Sequence, residues 1–405
     1  VAAVFARASF AEDGVTFGSW GRGLWIGAAN QGESNIVTGF RQSWGGASPR
    51  TALSVHGSSE NIGFDLDIFA NGESGLVVGD NAKIWWKPVE QVFAQMGKVD
   101  YNPLRGDACY GLWDFERIGA VNTGEEGWTF FGQSGNVVLT VAPVEGLTLV
   151  ARASLPGYDE TSYRKVQEEF GEYAGYYAAY AIPDVGTVKV GVETDWGNRA
   201  YEYDKNTDSL KDPKHWVTAG VAFDLTAVEN LFVSVGAFIP TSDGWTELTV
   251  TEKKKNNYKA NAYARYSMDP ITVHVRAGSK IGAYDEGESY KKGKLVDDAV
   301  GFLVGGAVDF KLDEFADALA NTKAFIEADY ANGVYLNGSS ADNMDTLTFG
   351  VGLVKGYSNG QVGIAFEGTT NNKGVYNLQK KQNGIVVTDP EAFSWCVPIQ
   401  FQYSF

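Results

Sequence analysis

The chain has 405 residues, 49 of them Gly and 13 % aromatic, against only 3 Met, 3 His and 2 Cys. A formal charge of −17 excludes a nucleic-acid binder, which needs clustered Lys and Arg, and no run of about 18 apolar residues is present to form a transmembrane helix. Cys109 and Cys396 are too few for a disulfide scaffold and have no metal-ligand spacing, although one long-range bridge between them stays open.

In chain order, residues 1–11 read as the tail of an export signal. An apolar run is followed by Ser9-Phe10-Ala11, a small-x-small pattern with cleavage expected before Glu12; a short buried strand is the competing reading. From Glu12 to Phe405 no linker interrupts the chain, and one unit recurs: a strand of about ten residues, a turn built on Pro, Asp, Gly or Asn, and a returning strand. The expected strands are 15–28, 51–57, 61–70, 76–87, 91–99, 136–142, 147–155, 172–181, 187–196, 215–225, 230–239, 257–268, 271–280, 298–311, 322–333, 345–356, 360–368 and 393–405. Eighteen is the expected number, with sixteen as the alternative.

Long polar stretches separate the hairpins: Pro156 to Gly171, Asn198 to Lys214, Thr241 to Asn256, Ala283 to Asp297 and Thr370 to Glu391. Short turns at one end and long loops at the other are the asymmetry of an all-β, transmembrane antiparallel barrel, with turns toward the periplasm and loops outside. The strands have two faces. Ile62, Phe64, Leu66 and Ile68 alternate with Gly63, Asp65 and Asp67, and Val273 and Val275 alternate with Thr272, His274 and Arg276. Trp20, Trp25, Trp85, Trp86, Tyr357, Tyr403 and Phe405 fall near strand ends, where interfacial girdles belong. The last stretch, SWCVPIQFQYSF, alternates Val397, Ile399, Phe401, Tyr403 and Phe405 with Pro398, Gln400, Gln402 and Ser404. A barrel requires it to pair with the first strand, leaving no edge in hydrocarbon.

In architecture, nearly the whole of the chain resembles the general and substrate-specific porins of outer membranes. The C-terminal strand with Phe401, Tyr403 and Phe405 is similar to the signal read by the barrel-assembly machinery. The segment FAQMGKVDYNPLRGD resembles the entry to a constriction loop, which would fold residues 101–135 inward. The opening AEDGVTFGSWGRG is similar to the start of porin-like barrels from treponemes and related spirochaetes. The resemblance implies an integral outer-membrane protein embedded in lipid, able to form a homotrimer, passing small hydrophilic solutes and ions. The alternative is a surface antigen or adhesin acting through its outer loops.

Strand parity assigns the pore wall: Arg22, Asp65, Asp67, Lys83, Lys87, Arg152, Lys189, Glu193, Lys259, Arg265, His274, Arg276, Glu327, Asp329 and Glu367 are expected to point inward, each with the plainer alternative of a solvated wall residue. Arg105, Asp107, Asp114, Glu116 and Arg117 are expected in the constriction loop. Acids from Asp100 to Glu126 outnumber Arg105 and Arg117, so a weak cation preference is expected. No GxSxG, HExxH, Walker A or GxGxxG motif is present, and His56, His215 and His274 lie far apart. The expectation is a channel without cofactor, metal or catalysis.

Overall fold

The computed structural model describes residues 14–30, 36–41, 50–70, 75–99, 136–154, 174–194, 200–204, 209–214, 217–240, 258–285, 294–313, 315–332, 345–370 and 393–405. The strands are β1 (Gly14–Asn30), β2 (Val37–Arg41), β3 (Arg50–Ser59), β4 (Ile62–Ala70), β5 (Leu76–Val89), β6 (Val92–Lys98), β7 (Asn136–Val144), β8 (Leu147–Ser154), β9 (Ala174–Ile182) and β10 (Gly186–Thr194). They continue with β11 (Ala200–Asp204), β12 (Ser209–Lys214), β13 (Val217–Leu225), β14 (Leu231–Pro240), β15 (Tyr258–Met268), β16 (Ile271–Asp285), β17 (Lys294–Lys311), β18 (Thr322–Ala331), β19 (Thr346–Tyr357), β20 (Gly360–Thr369) and β21 (Ser394–Ser404).

Each strand of the barrel pairs antiparallel with its neighbour in sequence, and the sheet closes where β21 meets β1. The result is a closed barrel of 18 strands. β1 is long enough to serve two partners on one edge: Gly14 to Arg22 pair with β3, and Leu24 to Ala29 pair with β2. Along its other edge Trp20 to Asn30 pair with Ser404 to Trp395. Closure matters because an unpaired backbone group in hydrocarbon costs several kcal/mol. β11 and β12 form a separate hairpin inside the stretch read from sequence as a plain loop.

Burial is inverted relative to a soluble sandwich. Along the barrel strands, where side chains are described, one parity is apolar and exposed, as at Phe17 (71 %), Trp86 (56 %), Val275 (56 %) and Ile326 (55 %), while Arg276, His274, Asp329 and Glu367 on the other parity are buried. Rows of exposed Phe, Val and Ile around a whole circumference are stable only against an apolar medium. The turns sit at one end. Glu60, Asp184, Asn230 and Asn321 adopt left-handed backbone there, a region that Asn and Asp tolerate, and Gly146 does the same between β7 and β8. The β17–β18 connection is longer than a simple turn and holds a single 3-10 turn at Asp317–Leu319.

Two girdle expectations need correction. Trp20 and Trp85 share the inward parity: Trp20 packs edge-on against buried Phe69 at 5.4 Å, and Trp85 stands opposite Gly63 in the row that carries Asp65 and Asp67. Alternation on those strands outweighs proximity to a strand end. Trp25, Trp86, Tyr357 and Phe405 are exposed on the outer face as expected.

Candidate channel lumen

The inward face carries charge in three groups, each created by register. On β3, β4 and β5, His56 stands opposite Asp65, and Asp65 opposite Lys83. The result is a ladder with His56 Nδ1 2.9 Å from Asp65 Oδ1 and Lys83 Nζ 3.5 Å from Asp65 Oδ2. One rung along, buried Asp67 accepts from Ser54 Oγ at 2.6 Å and from the backbone N and Nδ2 of Asn81, both at 3.0 Å. Arg22 and Arg50 are direct partners across β1 and β3, and Trp20 lies 5.4 Å from one guanidinium and 5.7 Å from the other. Ring faces attract such cations.

A second group lies on β7 to β14. Buried Arg152 donates from Nε to Asn136 Oδ1 at 3.3 Å, and Lys189 Nζ is 2.6 Å from Asp224 Oδ2. Beside them Val99, Val138, Val150 and Tyr177 form an apolar cluster on the inner face, all almost fully buried. Such a patch on a polar lumen wall flanks both ends of residues 100–135.

The third group spans β15 to β21. Tyr263 Oη and His274 Nδ1 are 2.7 Å apart, His274 Nε2 is 3.5 Å from Asp309 Oδ2, and Lys323 Nζ is 2.9 Å from the same oxygen. Arg276, fully buried, donates from Nε to Asp329 Oδ1 at 2.7 Å. Glu327 and Glu367 lie in the next register row, and Arg265 projects into the open lumen beside the Phe232 ring at 5.7 Å.

Of the residues expected on the wall, Arg22, Asp65, Asp67, Lys83, Arg152, Lys189, Arg265, His274, Arg276, Glu327, Asp329 and Glu367 all share the inward parity. Lys259 of β15 stands opposite Lys280 of β16, with its side chain outside the described residues, as is that of Glu193. Arg105, Asp107, Asp114, Glu116 and Arg117 also lie outside them, as do Cys109 and His215. Phe401, Tyr403 and Phe405 belong to the outer face, and Phe405 is tied to β1 by two backbone hydrogen bonds with Ser19, at 2.7 and 3.2 Å.

Acidic residues recur at the turn end of the barrel. Among the described residues, every short turn except Ser358–Asn359 presents an exposed carboxylate: Glu60, Glu90, Glu145, Asp184, Glu229 and Asp269, joined by Asp313 and Asp317 on the longer connection. Their recurrence was visible as acids beside turn residues, but only closure sets them in a ring around one mouth. Among the described residues no group of His, Cys, Asp and Glu could hold a metal ion. The wall is therefore a field of fixed charges and dipoles, which biases what moves through an enclosed aqueous space.

No protein-family model matches the sequence, and no curated protein sequence matches it significantly. Solved structures do. The Pseudomonas aeruginosa protein OpdL superposes with a TM-score of 0.55 at 11 % identity, over 96 % of this chain and 98 % of its own. Pseudomonas aeruginosa OccK2 gives 0.53 at 10 % identity, over 96 % and 97 %, and the outer-membrane protein OprD of the same organism gives 0.51 at 9 %, over 97 % and 94 %. With closure at 18 strands, an apolar outer belt and a charged interior, this chain has the fold of the outer-membrane porins.

Proposed function

We propose that the protein is an outer-membrane porin, a water-filled channel for passive diffusion of small hydrophilic solutes and ions, with a weak preference for cations. The observation that carries this reading is the inversion of burial: a closed barrel with apolar residues outside and paired charges inside. The acidic ring at the turn mouth supports the cation preference, since fixed negative charge concentrates cations at an entrance. So does the composition of residues 101–135, which we propose fold inward and bring Arg105, Asp107, Asp114, Glu116 and Arg117 to face the wall. The buried inner cluster of Val99, Val138, Val150 and Tyr177 offers the apolar seat such a segment needs. Residues 12–405 form one barrel, residues 1–11 belong to the export signal, Phe401, Tyr403 and Phe405 are read by the assembly machinery, and the barrel works as a homotrimer without catalysis.

Planar-bilayer recording of the purified protein tests the reading. Stepwise ohmic currents are expected, with a reversal potential of cationic sign in a salt gradient. A sealed membrane, or an anionic sign, overturns it; a sealed membrane with binding to surfaces would instead mark an adhesin.

A further inference from the structure

Two register rows cross the wall from β16 to β21. In one, Arg276 stands opposite Gly305 and Gly305 opposite Asp329. In the other, Ala307 stands opposite Glu327, Glu327 opposite Gly350, Gly350 opposite Glu367, and Glu367 opposite Cys396. The glycines are there for space. A Cβ at Gly305 would fall 1.7 Å from Asp329 Oδ1, and one at Gly350 would fall 2.8 Å from Glu327 Oε1, so each carboxylate lies flat on a bare backbone.

The neighbouring carboxylates each have a partner. Asp329 has Arg276, Asp309 has Lys323, and Glu367 Oε2 accepts from Cys396 Sγ at 3.5 Å. Glu327 differs: it makes no ion pair with a described residue, and its Oε2 is buried and accepts no hydrogen bond, whereas Asp309, whose Oδ1 is likewise unmatched, holds Lys323 through its other oxygen. In register, Glu367 lies one glycine away across Gly350 and Asp329 two residues along the same strand, with Arg276 engaged by Asp329 in the adjoining row. An ionised oxygen withdrawn from water without a donor is costly, and a second carboxylate one glycine away adds repulsion. A cationic partner relieves both.

We propose that Glu327, backed by Glu367, is a contact for the ammonium group of cationic solutes crossing the lumen. The chemistry selects this class. A dehydrated divalent cation needs six or more oxygen ligands, or near-octahedral geometry, and no cluster among the described residues supplies them. An ammonium brings three donors of its own and can spend one on the Glu327 side chain, which is only partly buried, while keeping water on the others. The inference rests on the channel reading above and adds to it the solute class and the residue that meets it.

The test is the methylammonium-to-potassium permeability ratio, read from bi-ionic reversal potentials of the full-length protein in planar bilayers. Glu327→Gln, of the same shape, is expected to lower the ratio about threefold, the size of one partly screened ion contact. An unchanged ratio in a conducting, cation-preferring channel overturns the ammonium contact and leaves the porin reading standing. A fall in potassium-over-chloride preference with the methylammonium ratio unchanged overturns it as well, in favour of a general cation field. A wild-type protein that does not conduct defeats both readings. Should Glu327→Gln fail to assemble, Glu327→Asp keeps the charge but draws it back from Gly350: a reduced ratio supports the contact, and an unchanged one overturns it.

Discussion

Replacing Val275 with Arg tests the outer face at its most demanding point. Val275 is 56 % exposed and stands five residues from Pro270 at the β15–β16 turn. A rise of about 3.4 Å per residue on a strand tilted by about 40° gives ~2.6 Å of depth per residue, so Val275 lies ~13 Å above the turn, close to the middle of an apolar band about 25 Å tall. Val273 lies only ~8 Å up. Burial of Arg in the lipid midplane costs about 2–4 kcal/mol and falls to about 0–1 near the interfaces. Val275→Arg is therefore expected to destabilise the barrel by about 3 kcal/mol and Val273→Arg by about half of that. Thr272→Arg should cost little, because Thr272 shares the inward parity of His274 and gives up only a 3.4 Å bond to Ser267 Oγ. Denaturant-induced unfolding in lipid vesicles, read by heat-modifiable gel mobility, measures all three. Equal losses from Val275→Arg and Thr272→Arg would refute the assignment of the two faces.

Arg276→Gln should cost about 3 kcal/mol by the same assay, since it leaves the buried Asp329 carboxylate without its cation; retention of full stability would show that the pair contributes nothing. Phe405→Ser is expected to reduce the yield of folded barrel in the membrane while synthesis continues, and an unchanged heat-modifiable fraction would remove the assembly role of the terminal aromatic. Asp114→Asn with Glu116→Gln should move the reversal potential toward zero; a fixed potential with normal conductance would show that residues 101–135 do not line the constriction. Glu60→Gln, Glu90→Gln and Glu145→Gln together should weaken cation preference at low salt and have little effect at physiological salt, where the Debye length is about 8 Å. Equal loss at both would place the effect inside the lumen.

The eighteen strands were legible in the sequence because a membrane barrel writes each strand as a local alternation. Residues 271–280 show their two faces without reference to any partner, and the same parity put Arg276, His274 and Glu327 inward. Hairpin order was legible too, since Glu60-Asn61, Glu145-Gly146 and Asp269-Pro270 are turns by their own chemistry. Trp20 and Trp85 lie near strand ends yet face inward, because parity is what a pleated strand enforces. Register was not legible. Local alternation cannot say that Asp65 meets His56 and Lys83 rather than the residues two positions along, since either choice keeps every side chain on its face. Partner choice comes from hydrogen-bonding whole strands around a closed circumference. For that reason the pairing of Arg276 with Asp329, the glycines beneath Asp329 and Glu327, and the gathering of scattered turn acids into a ring at one mouth all belong to the tertiary structure.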